Sequence, residues 1–151
     1  MTRPNDLSAT EARKLIGNKQ LSPLELTKSC IDQVERYNPS INAVVAINHE
    51  DVLKEAKKAE DDVMAGKELG LLHGLPVGIK DLNLVKDLRS TSGSKLFENR
   101  IPDYDDSVVA DIRAEGGIVF CKTNTPEFGA GANTKNKVYG ATCNPFDLTK
   151  T

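Results

Sequence analysis

Three short apolar runs, alternating with helical patterns, constrain the fold of this chain more than any other feature. Residues Ala43 to Ile47 (AVVAI), Val77 to Lys80 (VGIK) and Ile118 to Cys121 (IVFC) are rich in β-branched residues and too short for helices. They read as strands. The segments around them carry helix start signals. Ser8-Ala9-Thr10-Glu11 is a capping box, in which the serine oxygen accepts from a first-turn amide and Glu11 reaches back. It predicts a helix that stops at Gly17. Ser22-Pro23-Leu24-Glu25 is a second box with proline at the first helical position, and Leu21 and Leu26 stand at staple spacing around it. This helix is expected to end near Tyr37, before Asn38-Pro39, with Leu26, Cys30, Val34 and Tyr37 on its inner face. Asn48 caps a third helix ending near Gly66, with Val52, Ala56, Ala59 and Val63 as its buried stripe.

The texture changes at residue 67. Glycines multiply and helical period fades, so 1–66 reads as a helical lead and 67–151 as a region of strands and loops. Residues 86–104 look irregular. Asp105 or Asp106 caps a fourth helix, with Val108, Val109 and Ile112 inward and Gly116 at its end. Thr125-Pro126-Glu127 opens one more helical turn. A stretch rich in Gly, Asn and Thr follows, and long irregular stretches of this kind are usually functional. Helices alternating with short buried strands define an α/β fold. With 151 residues and no evident linker, the chain reads as one domain unit.

Composition removes several function classes. The net charge is −2 with both signs interspersed, which argues against a nucleic-acid footprint of clustered Lys and Arg. The one dense basic cluster, Lys54, Lys57 and Lys58, is interleaved with Glu55, Glu60 and Asp61 and reads as a solvated helix face. No apolar run reaches the roughly 18 residues of a membrane span. The N-terminal MTRPNDLSATEARK has no signal-peptide core, so a cytoplasmic location is expected. Cys30, Cys121 and Cys143 fit neither a disulfide framework nor a zinc site. Cys30 reads as a small core residue, and Cys121 and Cys143 as buried or incidental. His49 and His73 form no ligand-spaced pair, so no metal is expected, and His73 reads as a packing or hydrogen-bonding residue.

Lys80 is the most informative polar residue. It ends an apolar strand hemmed by Gly74 and Gly78 and precedes Asp81. A buried lysine must pair or shed its proton, because desolvation disfavours the ammonium. A neutral lysine is a competent general base. A salt bridge with Asp81 or a distant acid is the structural alternative.

The segment HGLPVGIKDLNLV, followed by Ser90-Thr91-Ser92-Gly93-Ser94, closely resembles the lysine-bearing segment of the amidase-signature hydrolases. Asp105-Asp106-Ser107-Val108-Val109, then Gly116-Gly117-Ile118-Val119, then Lys122-Thr123-Asn124-Thr125-Pro126-Glu127-Phe128 resemble the family's next helix and strand, ending in its Lys-Thr-Asn signature. Asn136, Tyr139-Gly140 and Asn144-Pro145 are similar to its approach to the active-site loop. These ordered, separated motifs cover essentially the whole chain.

The resemblance implies the N-terminal portion of an α/β/α fold with a mixed central sheet, preceded by helices. It implies amide hydrolysis through a Ser–cis-Ser–Lys triad in which Lys80 is the lysine, with no metal or organic cofactor and a small-molecule amide as substrate. An alternative parent is a glutamine-dependent amidotransferase subunit of the glutamyl-tRNA amidotransferase type. The family's two serines lie beyond Asn-Pro, in and after a Gly/Ser-rich loop, and residues 1–151 contain neither. Ser92 and Ser94 belong to another motif, and Ser107 starts a helix. The chain alone is therefore expected to be inactive, a partial domain prone to self-association or completed by a partner chain. A non-catalytic truncated or split module is the rival reading. Asp81, Thr91, Ser92, Lys122, Thr123 and Asn124 are candidate pocket supports. Turn geometry is the alternative for Thr91 and Ser92, and structural hydrogen bonding for Asp81 and residues 122–124.

Overall fold

A computed structural model describes residues 3–151; Met1 and Thr2, which head the segment read for a signal peptide, lie outside the described residues. The chain forms α1 (Ala9–Gly17), α2 (Pro23–Ile41), β1 (Val44–Ala46), α3 (His49–Met64), β2 (Pro76–Lys80), α4 (Ser107–Ala114), β3 (Ile118–Thr123), β4 (Lys135–Asn136) and β5 (Gly140–Ala141). Short 3-10 turns lie at Pro4–Asp6, Lys95–Phe97 and Glu127–Gly129.

The starts of the first three helices follow their caps. At α1 the box is complete: the Glu11 amide donates to Ser8 Oγ at 3.2 Å and the Ser8 amide donates to Glu11 at 3.0 Å. At α2 the Ser22 oxygen accepts from the Leu24 and Glu25 amides, while its hydroxyl donates to Glu60 of α3 rather than to Glu25. The second cap thus ties two helices together. Leu21 and Leu26 are buried in one cluster, as staple residues should be. Asn48 caps α3 through the Asp51 amide, and Val52, Ala56, Ala59 and Val63 are all buried.

Helix α2 does not stop at Asn38-Pro39 but continues to Ile41. Proline removes an amide bond to the preceding turn and crowds the carbonyl four residues back, but its fixed φ is helical and the cost is borne in the last turn. The Asn38 carboxamide meanwhile accepts the amides of Ala43 and Val44 at 2.8 Å. Asn42, at φ 55°, closes the helix by donating its amide to the Asn38 carbonyl. Tyr37 is exposed beneath Arg36 instead of facing the core. The Asp106 carboxylate does not cap α4; it accepts from the Leu84 amide at 2.7 Å. In α4, Val109 is buried and Ile112 packs beside it, but Val108 is exposed. Successive residues stand about 100° apart around a helix, so Val108 turns outward when Val109 and Ile112 face the sheet.

The sheet is mixed, in the order β1-β3-β2, with β1 antiparallel and β2 parallel to the central β3. Alternation along β3 builds the layers on its two faces. Ile118 and Phe120 join Ile31 of α2 and Val52, Ala56 and Ala59 of α3. Val119 faces the other way, onto Ile79, Val85 and Val109 of α4. A third cluster packs Ile16, Leu26, Val63 and Leu75 where α1, α2 and α3 meet. Each fully buried aliphatic side chain contributes about 1.5–3 kcal/mol, so β3 is the energetic centre of the fold. Cys30 is half-buried between two of these clusters; Cys121 is buried, and desolvation pushes its thiol pKa up to about 12. Neither is poised as a nucleophile.

The Gly/Asn/Thr-rich stretch read as irregular contains the β4–β5 hairpin, paired Lys135 with Ala141 and Asn136 with Gly140. No helix among the described residues is long and apolar enough to cross a membrane.

Candidate functional site

Parallel pairing sets Lys80 beside Thr123 and Ile79 beside Lys122. Side-by-side residues share a face, so each strand end offers two kinds of environment. Ile79 and Lys122 point inward and are buried, whereas Lys80 is exposed. None of the ion pairs among the described residues includes Lys80. Gly78 is exposed on the same side, and a Cβ there would come within 3.2 Å of the Thr123 methyl. The lysine is thus held at an open strand end beside bare backbone.

The buried lysine of this site is Lys122, which is 0% exposed. Its ammonium pairs with Asp81 at 3.2 Å, donates to Ser90 Oγ at 2.8 Å and also bonds the Asn83 carbonyl. Burial pushes its pKa down, and Asp81 opposes that shift. Asp81 accepts from the Thr91 amide at 2.9 Å and the Thr91 hydroxyl at 2.5 Å, and its own amide donates to the Thr123 carbonyl. Thr91 Oγ1 in turn accepts from the Gly93 amide at 3.0 Å. Asp81, Ser90, Thr91 and Lys122 therefore form one satisfied buried network that clamps the 81–93 loop onto the ends of β2 and β3. Satisfaction matters here, because an unpaired buried charge costs several kcal/mol.

Ser92 takes a left-handed backbone (φ 54°), accepts from Arg100 at 3.0 Å through its hydroxyl, and accepts the Phe128 amide through its carbonyl. It shapes the turn. Asn124 belongs to a separate network. Its Oδ1 accepts from Asn136 at 2.7 Å and its Nδ2 donates to Thr142 at 3.0 Å. The Asn136 Oδ1 accepts the amides of Val138 and Tyr139. Asn42 donates to the carbonyls of Tyr139 and Ala141, and Thr142 donates back to the Asn42 carbonyl at 2.6 Å. These bonds hold the β4–β5 hairpin against the end of α2 and the end of β3.

The sequence-derived candidates thus fall into four settings: an exposed Lys80 with half-buried Thr123, a buried Asp81–Thr91–Lys122 cluster, the turn shaped by Ser92, and the Asn124 network. Ser90, Asn42 and Thr142 are network members that sequence reasoning missed. Each lies in a loop or at the end of an element, where spacing along the chain carries no signal for a long-range partner. His73 is buried with Nε2 3.0 Å from the Ala59 carbonyl, at the far end of β2. A groove of about 690 Å³ between α3, the 85–88 turn and Arg113 includes none of the candidate residues. The described residues hold no cluster of His, Cys, Asp or Glu arranged for a metal ion.

The sheet is thus covered on both faces, and Lys80 ends a glycine-bearing parallel strand beside the Lys122-Thr123-Asn124 strand end. The chain belongs to the amidase family, the amidase-signature enzymes, whose profile matches residues 25–151. It is 42% identical over 142 residues to an acylamidase of Rhodococcus erythropolis, covering 94% of this chain and 30% of that protein. It is 37% identical to a glutamyl-tRNA(Gln) amidotransferase subunit of Clostridium botulinum (strain Alaska E43 / Type E3), covering 94% of this chain and 29% of that relative. Among solved structures, a bacterial aryl acylamidase of the amidase-signature family superposes with a TM-score of 0.86 at 32% identity, over 94% of this chain and 30% of the other. The chain spans about 30% of the length of the relatives it matches.

Proposed function

We propose that this chain is the N-terminal part of an amidase-signature hydrolase, one partial domain over residues 1–151, and that Lys80 is its general base. The observation that carries the reading is the free, outward-facing Lys80 at the end of β2, held over a fully bonded loop. Base chemistry needs an amine that no neighbouring carboxylate holds in its protonated form. In the proposed reaction a bridging serine relays the proton of a nucleophilic serine to Lys80. The serine oxygen attacks the amide carbon, the amine departs with a proton, and water releases the acid from the acyl-enzyme. Both serines and the amides that stabilise the oxyanion come from polypeptide other than residues 1–151. Asp81, Thr91 and Lys122 support the strand end, and Ser92, Thr123 and Asn124 shape its surroundings. The substrate is a small-molecule amide.

The test is a chimera in which residues 1–151 replace the matching 30% of the Rhodococcus erythropolis acylamidase. It is expected to hydrolyse amides, and Lys80→Ala is expected to abolish turnover while leaving the melt unchanged. Near-normal turnover of the Lys80→Ala chimera overturns the reading.

The 37% identity to an amidotransferase component supports a second parent, one that frees ammonia from glutamine. Ammonia release from glutamine, rather than aniline release from anilides, by the corresponding chimera selects it.

A further inference from the structure

Strand alternation puts Lys80 and Asp81 on opposite sides of one strand end. Asp81 shares its face with Ile79 and Lys122; Lys80 faces outward. They are adjacent in sequence, so a carboxylate released from the buried face would have the Lys80 amine as its neighbour. A carboxylate that swung onto the Lys80 ammonium would hold its proton and block base chemistry. Lys122 is placed to prevent this. It is fully buried, lies 3.2 Å from Asp81, and is anchored by Ser90 and the Asn83 carbonyl. Thr91 holds the same carboxylate by two donors.

We propose that Lys122 is a positioning residue for Lys80: by holding and neutralising Asp81 on the buried face, it leaves the outer amine without a carboxylate partner. The proposal rests on the reading of Lys80 as the base. The other charges around the cluster are Arg100 and Asp106, which act on Lys122, and Arg89, which stacks 5.1 Å from the Tyr139 ring beside Asp81. Arg100 donates to Ser92 and to the Ser90 carbonyl, so its guanidinium is already engaged and does not replace Lys122.

The experiment labels the 151-residue chain with limiting acetyl-N-hydroxysuccinimide at about pH 8, where acylation reports the neutral fraction of each amine. Lys80 is quantified by peptide mass spectrometry against Lys54, an exposed lysine on α3. In Lys122→Met, Lys80 labelling is expected to fall about threefold, the effect of one uncompensated charge nearby in a partly solvated site. In Asp81→Asn, which keeps the shape and the Thr91 contact, labelling is expected to rise. In Asp81→Asn/Lys122→Met it returns to within about twofold of the parent. Opposite signs for the two single variants are the signature, since a merely loosened loop moves both the same way. Equal shifts in both, or no shift in Lys122→Met, overturn the proposal. If Lys122→Met does not fold, Asp81→Asn decides, and unchanged or slower labelling there overturns it. Labelling involves no catalysis, so an active Lys80→Ala chimera defeats the reading of Lys80 without altering this result.

Discussion

The Asp81 carboxylate and the Lys122 ammonium form an ion pair 3.2 Å long, both side chains fully buried, across the ends of two parallel strands. Removing one member strands the other in a low-dielectric site, whereas removing both leaves well-packed neutral groups. Lys122→Met is therefore expected to cost about 3–5 kcal/mol in urea unfolding, and Asp81→Asn/Lys122→Met is expected to recover most of it. A double variant as unstable as the sum of the singles contradicts a pairwise role.

Lys80 presents the opposite case. It is exposed and outside every ion pair of the described residues, so Lys80→Ala is expected to change stability by less than about 0.5 kcal/mol. Thermal melts of the parent and the variant measure this directly.

The Ser22–Glu60 contact links the α2 cap to α3. Ser22→Ala is expected to lose about 1–2 kcal/mol, more than an isolated cap, because an interhelix bond goes with it. The Glu60 carboxyl is held below its ordinary range by Lys57 first and Ser22 second. A depressed carboxyl favours the fold fully above the unfolded value, about 4.3, and that contribution is lost as pH falls through the folded value. The urea midpoint should drop between about pH 5 and pH 3, and Glu60→Gln should flatten that part of the profile.

Two positive-φ glycines separate backbone strain from crowding. Gly66 (φ +70°) has open space where a Cβ would stand, while at Gly116 (φ +79°) a Cβ would lie 2.7 Å from His73 Nδ1. Gly66→Ala is expected to cost about 1 kcal/mol and Gly116→Ala about 3 kcal/mol, from strain plus overpacking. Equal losses would mean that the His73 contact yields freely.

The outer edge of β2 pairs with no strand among the described residues, and Leu96, Phe97, Ile101 and Phe128 are exposed. Open edges and apolar surface favour association. The chain alone is expected to self-associate with rising concentration in light scattering, and to release no ammonia above background from benzamide, aliphatic amides or glutamine. A strictly monomeric species with a sharp high-temperature melt contradicts the first expectation. Turnover that Lys80→Ala abolishes contradicts the second.

Local signals were legible wherever the physics is local. The Ser8, Ser22 and Asn48 caps, the Val52–Val63 stripe and the three strands all follow from spacing along the chain, because caps and periodic faces involve residues within a turn or two of one another. The ordered motifs around Lys80 and Lys122 likewise identified the family. Tertiary structure decided what spacing cannot encode. Asn38 and Asn42 carried α2 past Pro39 by bonding backbone beyond the helix, and Leu84 drew the Asp106 carboxylate away from its helix. The two lysines show the division most clearly. Lys80 is expected to be partly exposed where the pocket is half built, and it is exposed. Nothing in the spacing marks Lys122 as the buried partner of Asp81; parallel register placed it inside, because strand pairing, not the apolar run itself, assigns each residue to a face.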